Sequence, residues 1–328
     1  MARSLAVLRK ASRPARKLAT VQKTKLAAKK SVTQRAVAPI KQEVGRWSAG
    51  VAFAPAGALR YSLFCPPGLQ TGERLPMIVM LHGCRQDAKG FAASTRMNQI
   101  AARERFFVLY PQQDRLANPR GCWNWFDIKS GRAYGEAALV MAAVAQACLL
   151  NPVDRESLAI AGLSAGASMA ALLATRYPAR FKAVAMHSGV PAGTAYSALT
   201  ALQAMRGDRA TSPLHGNSMS SASWPPLLVI HGLVDTVVDV RNGRAAAQVW
   251  AAAAGARATA PRNVQRGKRY AMQVTDFKQR GRTVATLAEV EGLGHAWSGG
   301  VATAPFGDAQ GPDASRMVWG FAAKQFRK

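Results

Sequence analysis

The stretch "LAIAGLSAGASMAALLA", residues 158–174, decides how this chain folds. An apolar run ends in a glycine, Ser164 follows after one leucine, and a second glycine leads into alanine and leucine. This is the order of a buried strand, a tight turn and a helix, because glycines leave room where a turn has no space for side chains. Such a turn exposes the serine hydroxyl at the N-terminus of a helix, where backbone amides face a ligand. The stretch predicts that Ser164 is a nucleophile; the alternative is a small residue in a bend.

The rest of the chain from about residue 50 alternates short apolar runs with helical stretches. This alternation predicts an α/β fold with a mostly parallel central sheet and helices on both faces. The predicted strands are 58–66, 77–83, 106–111, 157–163, 181–189, 225–232 and 283–297, and the predicted helices are 91–105, 135–150, 240–255 and 313–326. The weakly patterned segment 191–223 is predicted to be an insert, either a lid or a surface excursion.

A serine hydroxyl needs a neighbouring base, and the base needs an orienting group. Asp235 follows the strand 225–232, and His295 follows the last predicted strand, so the chain order is Ser, Asp, His. That order is typical of the α/β-hydrolase arrangement and differs from the order in the other serine-hydrolase folds. Asp239 remains an alternative acid, and the alternative bases are the other four histidines, His82, His187, His215 and His231.

Acyl transfer also needs donors for a developing oxyanion. The residue after the nucleophile, Ala165, is one predicted donor through its backbone amide. Cys84, in the loop after the strand 77–83, is the other. The aromatic segment "GCWNWFD" predicts that Trp123 and Trp125 form a binding wall, with burial in the core as the alternative. Trp297 is predicted either to face the same cleft or to brace the loop of His295.

The charge of the chain is strongly basic, with 44 Lys+Arg against 17 Asp+Glu and a net charge of +27. Residues 1–46 hold 13 basic residues and one acid, lack aromatic residues and are predicted to form a flexible tail ahead of a catalytic domain at 47–328. A tail of this charge suits a polyanion, such as nucleic acid, or a granule surface. A solvating extension or a targeting peptide is the alternative.

The four cysteines show no metal-binding spacing, so neither a metal nor another cofactor is predicted. One disulfide, Cys84 with Cys122, remains open because both residues lie in predicted active-site loops, while Cys148 is predicted to be core. Apolar runs stay short of the length that spans a bilayer, which predicts a soluble chain without a transmembrane segment. No secretory signal is recognisable, so a cytoplasmic location is favoured and an extracellular one is the alternative.

Four blocks of sequence carry a family resemblance. They begin at Leu81 ("LHGCRQDAKGFAASTRMNQIAARERFFVLYPQQDRLANPRGCWNWFD"), Ala161 ("AGLSAGASMAALLATRYPARFKAVAMHSG"), Val229 ("VIHGLVDTVVDVRNG") and Gly292 ("GLGHAWSGG"). Together they resemble the poly(3-hydroxybutyrate) depolymerase family of esterases, α/β-hydrolases that are similar to feruloyl and acetylxylan esterases. The resemblance covers about residues 50–326. It implies Ser164 as nucleophile, Asp235 as acid and His295 as base, with Cys84 beside the oxyanion hole.

These observations predict a serine carboxylesterase acting on short hydroxyacid esters or poly- and oligo(3-hydroxybutyrate)-type polyesters. The first alternative is a feruloyl- or acetylxylan-type esterase. An alternative from another class is a polyanion-binding protein that acts through residues 1–46.

Overall fold

The computed structural model describes residues 45–210 and 224–327. The predicted tail therefore lies outside the described residues except for its last two positions. So do His215 and the end of the predicted insert. The first strand already begins at Arg46, one residue before the predicted start of the catalytic domain.

The main sheet is mixed, with parallel strands in its centre and antiparallel strands at both sides. Its order is β1-β2-β4-β3-β5-β6-β7-β11-β10-β8, with β9 also paired to β10, and two further short strands pair with each other. From β4 to β11 each neighbouring pair in this order is parallel. The strands are β1 Arg46–Ala54, β2 Gly57–Cys65, β3 Leu75–Leu81, β4 Phe107–Gln112, β5 Val153–Leu163, β6 Ala183–His187, β7 Leu227–Gly232, β8 Arg257–Ala258, β9 Arg262–Val264, β10 Met272–Gln279, β11 Arg282–Val290, β12 Trp297–Ser298 and β13 Gly307–Asp308.

The helices follow the predicted pattern with two differences. The helix predicted over 91–105 is two helices, because Arg96 between them has a left-handed φ of 56° that interrupts the hydrogen-bond ladder. The predicted insert contains a helix that begins at a capping box formed by Ser197 and Thr200. The helices are α1 Ala88–Thr95, α2 Met97–Glu104, α3 Arg132–Leu150, α4 Ala165–Arg176, α5 Ala198–Met205, α6 Arg241–Ala254 and α7 Ala314–Phe326, with a 3₁₀ turn at Pro178–Arg180.

The sheet separates two apolar cores, and β3 shows how. Met77 and Val79 point into one core, which is shared with α3, α4 and α6. Ile78 and Met80 point into the other, which is shared with α1, α2 and α7. Side chains alternate between the faces of a strand, so a strand covered on both faces is apolar at every position. This confirms the predicted arrangement of helices on both faces.

Helix α3 is the one described helix that is long and apolar enough to cross a membrane, and half of its apolar 18-residue stretch is buried within the protein. Its residues Ala137, Val140 and Val144 are fully buried in the first core. The apolar character of α3 is accounted for by its packing against the sheet.

The parallel strands bring their carboxyl ends to one edge of the sheet. β3 ends before His82, β5 ends before Ser164, and β7 ends before the loop of Asp235. β11, parallel to β7, ends before the loop of His295. This edge therefore collects the residues that the sequence singled out.

Candidate active site

Ser164 occupies a strained turn between β5 and α4. Its backbone has φ 55° and ψ −121°, a conformation that residues other than glycine rarely adopt. The glycines beside it are required by close packing: a Cβ on Gly162 would lie 2.3 Å from the carbonyl carbon of Gly166, and a Cβ on Gly166 would lie 2.2 Å from the carbonyl oxygen of Leu81. Because neither position has room for a side chain, glycines at 162 and 166 allow α4 to begin directly after β5 and to pass close to the end of β3.

A continuous chain of hydrogen bonds joins Ser164, His295 and Asp235. The hydroxyl of Ser164 lies 2.9 Å from Nε2 of His295. Nδ1 of the same ring lies 2.8 Å from Oδ2 of Asp235. A neutral imidazole in this position donates from Nδ1 to the carboxylate and accepts the hydroxyl proton at Nε2.

Asp235 is buried and fixed from both of its oxygens. Its Oδ1 accepts hydrogen bonds from the backbone N–H groups of Val237 and Val238, at 2.9 and 2.8 Å. Burial acts to raise the pKa of this carboxyl, but the hydrogen bond and charge of His295 and the Val238 N–H outweigh burial and hold the pKa below its ordinary value. The carboxylate is therefore ionised where it meets the imidazole.

Asp239, the alternative acid, has a different partner. Its Oδ1 accepts from the Arg241 backbone N–H at 2.8 Å and from the guanidinium at 3.0 Å. The hydrogen bond from Arg241 lowers the pKa of Asp239. The carboxylate belongs to an ion pair at the start of α6, and it is Asp235 that meets His295.

The described alternative histidines are buried and neutral. His82 donates from Nδ1 to the Gly83 carbonyl at 2.8 Å and accepts the Gln113 N–H at Nε2. Burial lowers its pKa. His187 accepts the Ser298 N–H at Nε2, and burial lowers its pKa to about 3.

His231 lies at the end of β7 and contacts the loop that carries Asp235. Its Nε2 donates to the Val238 carbonyl at 2.8 Å and is 3.6 Å from Oδ2 of Asp235. Burial lowers its pKa. His231 therefore supports the loop of Asp235 as a neutral donor and has no hydrogen bond to the serine.

The loop after β3 passes beside Ser164, as an oxyanion donor must. A Cβ on Gly83 would lie 3.5 Å from Cβ of Ser164. Within the described residues, the backbone N–H groups of Cys84 and Ala165 donate to no acceptor. Ala165 is also the first residue of α4, so the helix dipole adds positive potential at this point. The two amides are available to bind a negatively charged oxygen.

A disulfide joins Cys84 to Cys122 and ties this loop to the aromatic segment. The neighbouring Arg85 N–H donates to the Arg120 carbonyl at 2.7 Å. Cys65 and Cys148 are buried free thiols. The bridge that the sequence left open is therefore present, and it fixes the segment that contains the Cys84 amide.

Comparison with known proteins identifies the family. The family model described as esterase PHB depolymerase matches residues 59–267. The chain belongs to this esterase family. The matched residues include Ser164 and Asp235 and end before His295, so the histidine joins the pair through the tertiary structure described above.

Relatives of this PHB depolymerase-family esterase carry two kinds of name. Poly(3-hydroxyalkanoate) depolymerase C of Paucimonas lemoignei is 30% identical over 57% of this chain and 46% of its own length. A probable acetylxylan esterase A of Aspergillus fumigatus is 26% identical over 64% of this chain and 59% of its own length. The chain thus spans about half the length of these two curated relatives.

A solved structure shows the same fold. Acetyl xylan esterase from Aspergillus awamori superimposes with a TM-score of 0.58 at 21% identity, covering 76% of this chain and 94% of that chain. The prediction of an α/β-hydrolase fold is confirmed.

Trp123, Trp125 and Trp297 are more deeply buried than a binding wall requires. Trp123 is fully buried, and its indole N–H donates to the His82 carbonyl at 3.1 Å. Trp297 is fully buried and stacks on the imidazole of His187, with ring centroids 5.1 Å apart. Trp125 is 7% exposed. The large apolar rings of Trp123 and Trp297 are therefore part of the packing beneath the loops around the serine, and a binding wall at Trp123 and Trp125 stays a prediction.

Sequence reasoning missed a buried polar contact that holds the aromatic segment in place. Glu136 on α3 accepts from the backbone N–H of Asn124 at 2.8 Å and from its side-chain amide at 2.5 Å. Burial raises the pKa of Glu136 against these hydrogen bonds. The sequence signal that could have revealed this contact is the position of a carboxylate in a mostly apolar helix.

A second missed contact supports the histidine loop. The backbone N–H of Ser298 donates to His187, and the Ser298 hydroxyl donates to the Pro312 carbonyl at 2.6 Å. Nothing local in the sequence marks this contact, since its partners lie far apart along the chain. Among the described residues, no group of three or more His, Cys, Asp and Glu side chains is placed to hold a metal ion.

Proposed function

We propose that this protein is a serine carboxylesterase in which Ser164 is the nucleophile, His295 the general base and Asp235 its orienting acid. The observation that carries the proposal is the unbroken hydrogen-bond chain from the serine hydroxyl through both ring nitrogens to the carboxylate. The strained backbone at Ser164 supports it, since strain of this kind accumulates at functional positions.

The reaction follows from this geometry in two halves. Nε2 of His295 takes the hydroxyl proton while Oγ of Ser164 attacks the ester carbonyl, and Asp235 stabilises the imidazolium that forms. The amides of Ala165 and Cys84 bind the oxyanion of the tetrahedral intermediate. The imidazolium then gives its proton to the departing alkoxide, which leaves an acyl-serine and an alcohol.

The second half repeats the same steps with water. His295 takes a proton from a water molecule, whose oxygen attacks the acyl carbonyl. Collapse of the second tetrahedral intermediate breaks the bond to Oγ, returns the proton to Ser164 and releases the carboxylic acid. The cycle uses residues of this chain and water alone.

Apolar side chains beside the acid favour hydroxyacid esters and their oligomers as substrates. Leu233, Val234 and Val237 flank Asp235 and are 41%, 56% and 47% exposed. An apolar edge at the strand ends suits the methyl-bearing backbone of a 3-hydroxybutyrate oligomer better than a sugar chain. The name of the Paucimonas lemoignei relative agrees with this substrate class.

A feruloyl- or acetylxylan-type activity is the second candidate, and the names of several relatives favour it. The first test compares p-nitrophenyl esters from acetate to octanoate, with wild type and Ser164→Ala in parallel. We expect activity that peaks at short chains and falls at least 10³-fold in the variant. Hydrolysis of hydroxybutyrate trimer then supports the first candidate, and acetate or ferulate release without trimer hydrolysis supports the second.

The segment 1–46 carries the proposal from another class, in which this basic segment binds a polyanion or a granule surface. Its support is the net charge of +12. Deletion of 1–44, which keeps the strand that begins at Arg46 intact, should weaken salt-dependent retention on double-stranded DNA while esterase activity stays unchanged. Retention on double-stranded DNA that is undiminished after the deletion contradicts a role for the tail.

The disulfide favours the extracellular alternative for the location of the protein. Bridges such as Cys84–Cys122 persist in oxidising compartments and are rare in the cytosol. Thiol labelling of protein from fractionated cells tests this, because a cytosolic enzyme would yield four free thiols.

A further inference from the structure

A second cavity lies on the sheet away from the serine, and we call it the β10–β11 groove. It encloses about 1210 Å³ between β9, β10 and β11 on one side and α2 and α7 on the other. The side chains of Met272 and Val274 form part of an apolar floor, and Tyr270 and Phe321 are half-buried in its walls. None of the described residues that line it belongs to the Ser164, His295 and Asp235 chain.

The groove is strongly cationic. Among the described residues that line it are eight arginines, one lysine and two carboxylates. Both carboxylates already form ion pairs: Oδ2 of Asp276 lies 2.7 Å from Nη1 of Arg262. Oδ2 of Asp313 lies 3.3 Å from Nε of Arg316. Within the described part of the chain, six of the cations have no carboxylate partner: Arg96, Arg266, Arg269, Arg282, Lys324 and Arg327.

Unpaired like charges around one concavity create a positive potential that selects the occupant. The segment 1–46, with its net charge of +12, does not complement the groove, and neither does a second copy of a chain of net charge +27. The occupant therefore carries negative charge. Eight of the nine cations are arginines, whose planar guanidinium matches the oxygens of a phosphate in a two-pronged hydrogen bond.

The dimensions of the β10–β11 groove indicate that its occupant is a polymer. The volume exceeds the range of about 300–1,000 Å³ in which small molecules are usually bound. Cations lie at both ends of β11, with Arg282 at its start and Arg269 beyond its carboxyl end, and a nine-residue strand spans about 30 Å. A chain with repeated phosphates meets charges spread over this length, whereas a single anion meets only a few of them.

We propose that the β10–β11 groove binds single-stranded nucleic acid. The unpaired arginines hold the phosphodiester backbone, and Tyr270 and Phe321 offer aromatic surface on which unstacked bases lie. Proteins that bind single strands without sequence preference combine these two features. A duplex keeps its bases stacked inside and has no use for aromatic groups in a groove wall.

The test uses the full-length protein and a fluorescein-labelled twelve-residue oligothymidylate, followed by anisotropy from 50 to 300 mM NaCl. The groove variant is Arg266→Gln/Arg282→Gln/Arg327→Gln. The matched control is Lys89→Gln/Arg115→Gln/Arg155→Gln, which removes the same charge from exposed positions outside the groove. Hydrolysis of p-nitrophenyl butyrate, unchanged in both, shows that each variant is folded.

We expect the groove variant to bind about tenfold more weakly at 100 mM salt and the control to stay within twofold of wild type. The slope of log K against log salt should fall by about 2 in the groove variant, since each phosphate contact contributes about 0.7. Equal losses in both variants, or unchanged binding in the groove variant, overturn the proposal, because binding then depends on net charge or on residues 1–46.

A second pair of measurements separates the single strand from other polyanions. Tyr270→Leu/Phe321→Leu keeps every charge and should weaken oligothymidylate binding about tenfold, while inhibition by inorganic polyphosphate stays constant. Oligothymidylate binding that survives this change, or a duplex that binds as tightly as the single strand, overturns the assignment of the occupant.

Discussion

Replacing Asp235 with Asn changes one carboxylate oxygen into an NH₂ group without changing the shape of the side chain. In the folded protein, Oδ1 binds two backbone N–H groups and Oδ2 faces Nδ1 of His295 at 2.8 Å. An amide keeps its oxygen on the two N–H donors, so its NH₂ group must face the imidazole. The ring then presents Nδ1 as an acceptor and carries its proton on Nε2.

This tautomer cannot accept the proton of Ser164, because Nε2 is the atom that lies 2.9 Å from the hydroxyl. The variant also loses the charge that stabilises the imidazolium. Both losses act on the transition state and not on ester binding, so we expect kcat to fall about 10⁴-fold while KM changes less than threefold. That fall corresponds to about 5.5 kcal/mol of transition-state stabilisation.

The assay is steady-state hydrolysis of p-nitrophenyl butyrate at pH 7.5, with a thermal melt to show that the variant is folded. Asp239→Asn is the matched control, since the carboxylate of Asp239 pairs with Arg241 and makes no contact with His295. Its kcat should stay within twofold of wild type. A kcat for Asp235→Asn above one tenth of the wild-type value refutes the assignment of Asp235 as the orienting acid.

Three further predictions concern stability. Burial lowers the pKa of His187 to about 3, so below pH 6.5 this residue binds a proton in the unfolded state and not in the folded state. His187 should therefore lower the free energy of unfolding by about 2 kcal/mol between pH 7 and pH 5. Urea titrations at both pH values should show that His187→Gln removes this contribution, and a pH dependence that the variant leaves unchanged contradicts the prediction. Gly166→Ala would place a Cβ 2.2 Å from a backbone carbonyl and should cost about 3 kcal/mol or prevent folding, whereas Gly320→Ala, with open space around its Cα, should be neutral or stabilising by up to about 1 kcal/mol in the same titration. The bridge between Cys84 and Cys122 has a sequence separation of 38, so replacing both residues with Ala should lower the free energy of unfolding by about 3–4 kcal/mol and reduce kcat by loosening the loop; equal stability would show that the loop is held by its other hydrogen bonds.

Local patterns along the chain predicted the central strands and the turn at Ser164. Strands covered on both faces are apolar throughout, and the glycines at 162 and 166 mark a turn with no room for side chains. The flanking strands β1 and β10 were missed, because most side chains of β1 are exposed and polar residues interrupt the apolar positions of β10. The break at Arg96 was missed because no glycine or proline marks it.

Some features of the candidate site are likewise predictable from the sequence, and others depend on the tertiary structure. The sequence determined the serine turn, the order Ser, Asp, His and the choice of residues at the strand ends, since parallel strands bring their carboxyl ends to one edge. Only the tertiary structure distinguishes the surroundings of Asp235 and Asp239, because both lie in one short loop and the packing of that loop places one carboxylate beside His295 and the other beside Arg241.

Burial of the aromatic rings and the β10–β11 groove likewise depended on the folded chain. A tryptophan in a loop has the same sequence signature whether it fills a core or lines a cleft, and Trp123 fills the space beneath the loop of His82. The cations of the groove come from four separate elements, α2, β9, β11 and α7, and from the residues beside them, so no window of sequence shows them together. Local patterns predict what each segment is; which side chains meet is set by the packing of segments that lie far apart along the chain.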